Sequence, residues 1–337
     1  MFEEITLETA VRDGKVMQDF DPELLPIGGS HSQMVKGPPI GNDSGSKDCV
    51  NLPSPTAVFR VTSLQNPKIK KAVKLADRKE RNETGLFLIE GYRELKRASD
   101  SGVVIQTLFI CPKFFLGSNE EALIDQIRKT RAEIISCHES VFQKLSYRDR
   151  PDGLVAIAIQ MQRSLQDLIA QLAMKKDPFL IIAEAIEKPG NLGTILRSAD
   201  AAGVDGVIVC DRCTDIYNPN VVRASVGTLF TIPVVEASSA DTLLWLQQRK
   251  IKVVAATPSA KEEFTDASLT GGVAIAVGTE QLGLTKLWMD AADLKVRIPM
   301  HGVADSLNVA TATTLLLYEV VRQRIPKQPQ KVANGRD

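Results

Sequence analysis

From residue 178 to residue 325 the chain alternates short aliphatic runs with helical patterns, and few folds satisfy that alternation. Strand-length runs occupy residues 179–183 (FLIIA), 206–209, 252–256, 272–277 and 294–298. Helical patterns lie between them at 193–202, 241–249 and 307–322. The runs are apolar at nearly every position, which suits strands of a parallel sheet covered by helices on both faces. On the last helix a 3.6-residue spacing predicts a packed stripe of Leu307, Ala310, Thr314, Leu317, Tyr318 and Val321, with Ser306 as the N-cap.

A smaller α/β pattern precedes this one. Runs at 86–89 (LFLI), 108–110 and 154–159 (LVAIAI) read as strands, and 92–99 and 120–130 read as helices. The expected organisation is a disordered tail over 1–55, a first α/β domain over 56–160, a linker helix within 161–177, a second α/β domain over 178–325 and a polar tail over 326–337. The first segment is assigned to a tail because 27–55 is rich in Gly, Ser, Pro and Asn and has too little apolar surface to offset its ordering entropy.

Several function classes fall away on composition. No apolar run approaches the roughly 20 residues of a membrane-spanning helix. The first ten residues hold three glutamates and no basic residue, unlike a secretory or transit signal. The expectation is a cytoplasmic protein with no membrane partner. Five cysteines among 337 residues are too few and odd in number for a disulfide framework, and the three histidines are scattered. Cys210 and Cys213 form one C-x-x-C with no second pair at zinc-ligand spacing, so no metal is expected.

The charge is balanced overall, with 41 basic and 41 acidic side chains, but unevenly spread. Residues 1–55 carry 4 basic and 9 acidic groups, and residues 56–150 carry 18 and 12. A positive middle segment is what a phosphate-rich partner prefers. Within it, residues 68–81 (KIKKAVKLADRKER) hold seven basic side chains against two acidic ones. Lys68, Lys70, Lys71, Lys74 and Arg78 are therefore candidate nucleic-acid contacts, although such runs commonly form a solvated helix face.

Three strand-to-helix junctions carry candidate chemistry. In the first, EAIEKPGNLGTILRSADAA, Lys188-Pro189-Gly190-Asn191 reads as a turn, and Gly193 and Thr194 open a helix bearing Arg197 one turn in. Arg197 can fork two donors onto a phosphate, or pair with an acid such as Asp200 or Glu184. The second junction, Val277-Gly278-Thr279-Glu280-Gln281-Leu282-Gly283-Leu284, follows a strand and has two glycines five apart. Glycine there would let the backbone approach a ligand closely. The pattern is neither a dinucleotide fingerprint nor a P-loop. The third runs from Ile298-Pro299-Met300 to Ser306-Leu307-Asn308-Val309, at the carboxyl end of a strand, where open α/β sheets bind ligands.

Taken together, NLGTILRSADAAG (191–203), NPNVVRASVGTLFTIPV (218–234), VGTEQLGL (277–284) and IPM followed by SLNVATA (298–312) resemble, in order and spacing, the SpoU or TrmH-like RNA ribose 2′-O-methyltransferases of the SPOUT class. Upstream, VTSLQNPKIK (61–70), the basic helix after it, GLFLIEGYREL (85–95) and PDGLVAIA (151–158) resemble that family's N-terminal substrate-binding domain, itself similar to small α/β ribosomal proteins. The first 55 or so residues have no counterpart.

The resemblance implies a C-terminal domain tied in a deep trefoil knot, an exception to the usual unknotted topology, and a homodimer formed through it. It implies S-adenosylmethionine as cofactor, contacted largely through backbone at Gly278, Ile298 and Leu307. Asn191, Arg197, Glu280, Ser306 and Asn308 would surround the reaction, and Arg223 would join the RNA-binding set. Ala310 stands where many members carry Ser. A guanidinium donates hydrogen bonds and accepts none, so Arg197 is expected to hold a phosphate and polarise the 2′-oxygen rather than act as a base. Ser306 and Asn308 would orient the ribose, and Glu280 a neighbouring group. The ribosomal-protein-like domain favours 23S-type large-subunit rRNA over tRNA, since RNA modules read loops and shape. A non-catalytic RNA-binding protein would lack the matching polar positions. A nicotinamide-dependent dehydrogenase would carry a glycine fingerprint that is absent here.

Overall fold

A computed structural model describes residues 60–325 apart from 212, 213 and 280. The expected tails over 1–55 and 326–337, and the candidates Glu280 and Cys213, lie outside the described residues.

The first lobe runs β1 (Arg60–Val61), α1 (Pro67–Lys74), α2 (Arg78–Thr84), β2 (Leu86–Glu90), α3 (Tyr92–Asp100), β3 (Ile105–Ile110), α4 (Glu120–Lys129), β4 (Glu133–Cys137), α5 (Glu139–Leu145) and β5 (Leu154–Ile159). Its five strands lie in the order β1-β4-β3-β5-β2, with β5 antiparallel to both neighbours. The aliphatic runs anticipate β2, β3 and β5. The strand β4 (EIISC) escapes a hydrophobicity reading because its exposed Glu133 and half-buried Ser136 dilute the signal, and parallel pairing with β3 supplies the difference.

A short helix, α6 (Leu165–Leu172), follows; Ser164 and Asp167 form a reciprocal capping box at its start. It covers only the middle of the expected 161–177 linker.

The second lobe runs β6 (Phe179–Glu184), α7 (Pro189–Ala201), β7 (Gly206–Cys210), α8 (Pro219–Ala224), β8 (Val234–Ala237), α9 (Ser239–Gln248), β9 (Lys252–Ala256), β10 (Glu262–Glu263), β11 (Val273–Val277), α10 (Lys286–Ala291), β12 (Leu294–Arg297) and α11 (Val309–Arg324). All seven strands are parallel, in the order β10-β12-β9-β11-β6-β7-β8. Alternate residues of β6 feed two cores. Phe179, Ile181 and Ala183 pack on one face, and Leu180 and Ile182 on the other, as the two-residue period of a strand requires.

Three local readings are corrected. The segment Lys188-Pro189-Gly190-Asn191 is not a turn before the helix. Pro189 is its first residue, where the missing N–H costs nothing, so Arg197 sits two turns in. The N-cap of α11 is Asn308, whose Oδ1 accepts from the Ala310 amide at 3.0 Å; Ser306 lies outside the helix. The packed face of α11 is Val309, Ala310, Thr313, Leu316, Leu317 and Val320, and Tyr318 is half exposed. Only Ala310 and Leu317 of the expected stripe lie on this buried face.

The lobes share one core. The Phe87 ring of β2 lies 4.6 Å from that of Tyr217 and 6.0 Å from that of Phe230. Arg81 belongs to the basic run, yet it is buried at the seam. Its Nε and Nη2 contact Asp215 Oδ2 at 2.8 and 2.6 Å, and Nη1 donates to the Leu75 and Ala76 carbonyls.

Candidate functional site at the carboxyl ends of the parallel strands

Three of the loops that leave the parallel sheet enclose a cleft of about 440 Å3. Ala256, Thr257 and Pro258 come from the end of β9, and Val277, Gly278, Thr279, Gln281, Leu282 and Gly283 from the end of β11. Ile298 and Met300 follow β12, and Asp305, Ser306 and Leu307 lead into α11. The cleft thus gathers all three expected cofactor contacts, Gly278, Ile298 and Leu307, together with Ser306. Its size falls in the range of small-molecule sites, and its apolar walls with few polar groups are typical of them.

The loop after β11 is self-supporting. The Thr279 amide donates to the Gly283 carbonyl at 3.1 Å, the Gly283 amide returns the bond at 2.9 Å, and the Leu282 amide donates to Thr279 Oγ1. A Cβ on Gly278 would come within 2.3 Å of the Gly283 carbonyl group. The close approach that demands glycine at 278 is therefore to the loop's own backbone. Gly283 adopts a φ of 68°, a left-handed conformation that favours glycine. The loop's far end is held by Glu184, whose buried carboxylate accepts from the Thr285 amide and hydroxyl.

A narrower crevice of about 80 Å3 adjoins the cleft, sharing Thr279, Gln281, Leu282 and Val309 with it and adding Asn191. Asn191 and Asn308, 117 residues apart, meet here, with Asn308 Nδ2 donating to Asn191 Oδ1 at 3.1 Å. Arg197 stands elsewhere. Six residues beyond Asn191 on α7, it faces an open groove of about 400 Å3 that also contains Asn220 and Arg223. Neither expected acid pairs with it: Asp200 accepts from the Thr231 hydroxyl at 2.8 Å, and Glu184 is occupied by Thr285. Among the described residues the Arg197 and Arg223 guanidinium groups are both exposed and unpaired. Gly193 lets α8 approach α7, since a Cβ there would meet the Ala224 Cβ at 2.5 Å.

The first lobe presents Lys68, Lys70, Lys71, Lys74 and Arg78 at the surface, Lys68 in an ion pair with the half-exposed Glu133. Cys210 is buried at the end of β7, and burial pushes its thiol up to about 12, far from the thiolate that redox or metal chemistry needs. Thr257, Pro258, Gln281 and Asp305 line the cleft without having been singled out in sequence. Thr257-Pro258 directly follows an expected strand, so the carboxyl-end rule would have found it.

Both lobes match known protein families. Residues 178–318 match the SpoU rRNA Methylase family and residues 66–156 the MRM3-like substrate binding domain. The chain is 32% identical over 257 residues to the 23S rRNA (uridine(2479)-2′-O)-methyltransferase of Streptomyces viridochromogenes, covering 74% of this chain and 88% of that protein. The crystal structure of an RNA 2′-O ribose methyltransferase superposes with a TM-score of 0.70 at 41% identity, covering 79% of this chain and 99% of the other. An AdoMet-bound rRNA methyltransferase from Sinorhizobium meliloti gives 0.71 at 33% identity, with 80% and 99% covered.

Proposed function

Because the chain belongs to the SpoU rRNA methylase family, we propose that it is an S-adenosylmethionine-dependent enzyme that methylates a ribose 2′-hydroxyl of 23S-type large-subunit rRNA. The observation that carries this reading is the convergence of the loops after β11 and β12 and the start of α11 on one cleft, in a chain whose similar proteins include a 23S rRNA 2′-O-methyltransferase and an AdoMet-bound rRNA methyltransferase.

The cleft suits the cofactor. Its apolar side chains can flank an adenine, and the backbone at Gly278, Ile298 and Leu307 offers hydrogen-bonding groups. When bound, the cofactor supplies a methyl group already activated on a sulfonium. The chain's own task is to hold the acceptor oxygen in line and lower the cost of losing its proton; positioning of this kind can contribute roughly 7–11 kcal/mol. We assign Arg197 to a phosphate and the 2′-oxygen of the acceptor, with that phosphate or water taking the proton. Ser306 and Asn308 orient the ribose, Asn191 fixes Asn308 through their hydrogen bond, and Glu280 orients a neighbouring group. Lys68, Lys70, Lys71, Lys74, Arg78 and Arg223 bind the RNA backbone.

The domain limits 56–160 for substrate binding, 161–177 for the linker and 178–325 for methyl transfer belong to the same proposal. So do the trefoil knot and the homodimer. The insertion of β11 between β6 and β9 supports the knot. Half-exposed Leu315 and Tyr318 on α11, the helix that packs on α7 through Ser198 and Thr314, support a homodimer, as does the position of Arg197 outside the cofactor cleft. No described helix is long and apolar enough to cross a membrane; a cytoplasmic location is proposed on the ground of the rRNA substrate.

Incubation with radiolabelled S-adenosylmethionine and unmodified 23S rRNA transcripts tests this. Labelled, alkali-resistant dinucleotides are expected from the 23S transcript. Label entering only tRNA would replace the substrate, and label entering no RNA would overturn the reading.

A further inference from the structure

We propose that Tyr147 and Arg223 form a subsite for an unpaired nucleobase of the substrate RNA, the Tyr147 ring stacking on the base while Arg223 holds its phosphate. The inference rests on the reading of the chain as an RNA methyltransferase and adds to Arg223 an aromatic partner, Tyr147, that the motifs do not contain.

Tyr147 lies between α5 and β5. Its side chain is half exposed while its backbone is tied down. The Tyr147 amide donates to Glu90 Oε2 at 2.7 Å, and the Ser146 hydroxyl donates to Glu90 Oε1. The next residue, Arg148, donates to Glu94 Oε1 at 2.6 Å and to the Glu90 carbonyl at 3.1 Å, and pairs with Asp152 at 3.4 Å. An aromatic side chain presented on a fixed backbone loses little freedom on binding.

The seam between the lobes puts this ring beside the reactive groove. Tyr147 and Arg148 from the first lobe and Pro219, Val222 and Arg223 from the second line one crevice. Arg223 also lines the open groove that contains Arg197 and Asn220. The tract from Tyr147 through Arg223 to Arg197 is therefore continuous. The Glu90 oxygens are engaged and Arg148 is neutralised by its two carboxylates, so Arg223 is the cation of the crevice left for a ligand. An exposed aromatic next to an unpaired arginine is the combination that holds single-stranded nucleotides, because every base has a π-face and every nucleotide a phosphate. A base inside a duplex is already stacked on both sides, so the nucleotide held here is unpaired.

The test uses the full chain and unmodified 23S rRNA transcript. Tyr147→Ala and Tyr147→Leu are expected to weaken RNA binding in filter assays on the order of tenfold, the usual consequence of losing one stacked base. Tyr147→Phe should stay within about twofold of wild type by the same stacking argument. Calorimetric binding of S-adenosylmethionine should be unchanged in all three. Tyr147→Trp adds a fluorophore at the crevice, since Trp245 and Trp288 are both buried; its emission should be quenched on adding the transcript. Wild-type RNA affinity in Tyr147→Ala, or emission from the Tyr147→Trp variant that is indifferent to RNA, overturns the subsite. Failure of the wild-type chain to methylate any RNA overturns the functional reading instead, and the affinity comparison still decides the role of Tyr147.

Discussion

Glu184 and Thr285, separated by 101 residues, are joined by two hydrogen bonds, from the Thr285 amide to Oε2 at 2.8 Å and from its hydroxyl to Oε1 at 2.6 Å. Glu184 ends β6, which pairs with β11 in the sheet, and Thr285 closes the loop that begins at Gly278. The pair sets where the loop returns to the sheet. It therefore holds the shape of the cleft without lining it.

Glu184→Gln keeps one acceptor and loses the charge. Hydrogen bonds to charged groups are worth about 1.5–3 kcal/mol, and we expect a stability loss toward the lower end of that range in urea denaturation. Affinity for S-adenosylmethionine should fall several-fold by calorimetry. Unchanged affinity in a folded variant would detach this pair from the cofactor site.

Arg197→Ala should abolish methyl transfer in single-turnover assays while cofactor affinity stays within a few-fold, because Arg197 faces a different groove from the cofactor cleft. Arg197→Lys keeps the charge and loses the planar fork, and should be severely impaired too. Near-normal turnover in Arg197→Ala would remove it from the reaction.

Arg81→Met leaves Asp215 uncompensated at the lobe seam, and breaking a buried pair in this way costs about 3–5 kcal/mol. Pairing it with Asp215→Leu should restore much of the loss, since a buried ion pair replaced by apolar groups is often neutral. Thermal unfolding of the two single variants and the double variant measures this. A double variant no better than the sum of the singles would show that the carbonyl bonds of Arg81 matter more than the ion pair.

Reversing the charges of Lys70, Lys71 and Lys74, all exposed on α1, should weaken RNA binding and flatten its salt dependence, each lost phosphate contact lowering the slope of log affinity against log salt by roughly 0.7–0.9. Cofactor binding should be untouched. An unaltered slope would make α1 a solvated face.

The sequence shows best what is local. Strands β6, β7, β9 and β11 are legible because each is an aliphatic run of its own, and Gly278, Ile298 and Leu307, which the family resemblance singles out, line one cleft. What is paired over long distances is hidden. Nothing near Arg81 in sequence marks it as different from Lys79, yet Asp215 buries one and leaves the other in solvent. The same holds for Glu184, which looks like one more acid before a turn, and for Tyr147, whose importance depends on a helix from the other lobe. At the start of α11, Ser306 and Asn308 are equally good caps by type, and only the packed face of the helix decides between them.

The aromatic contact of Phe87 with Tyr217 and Phe230 packs the two lobes into one core. Under the proposed roles, the span from the lysines of α1 to Arg197 is set by that packing, and the molecule works as a caliper. On the same reading, the accepted RNA is one whose own folding sets a phosphate ridge and a reachable ribose at that span, and the choice of nucleotide becomes a measurement of distance.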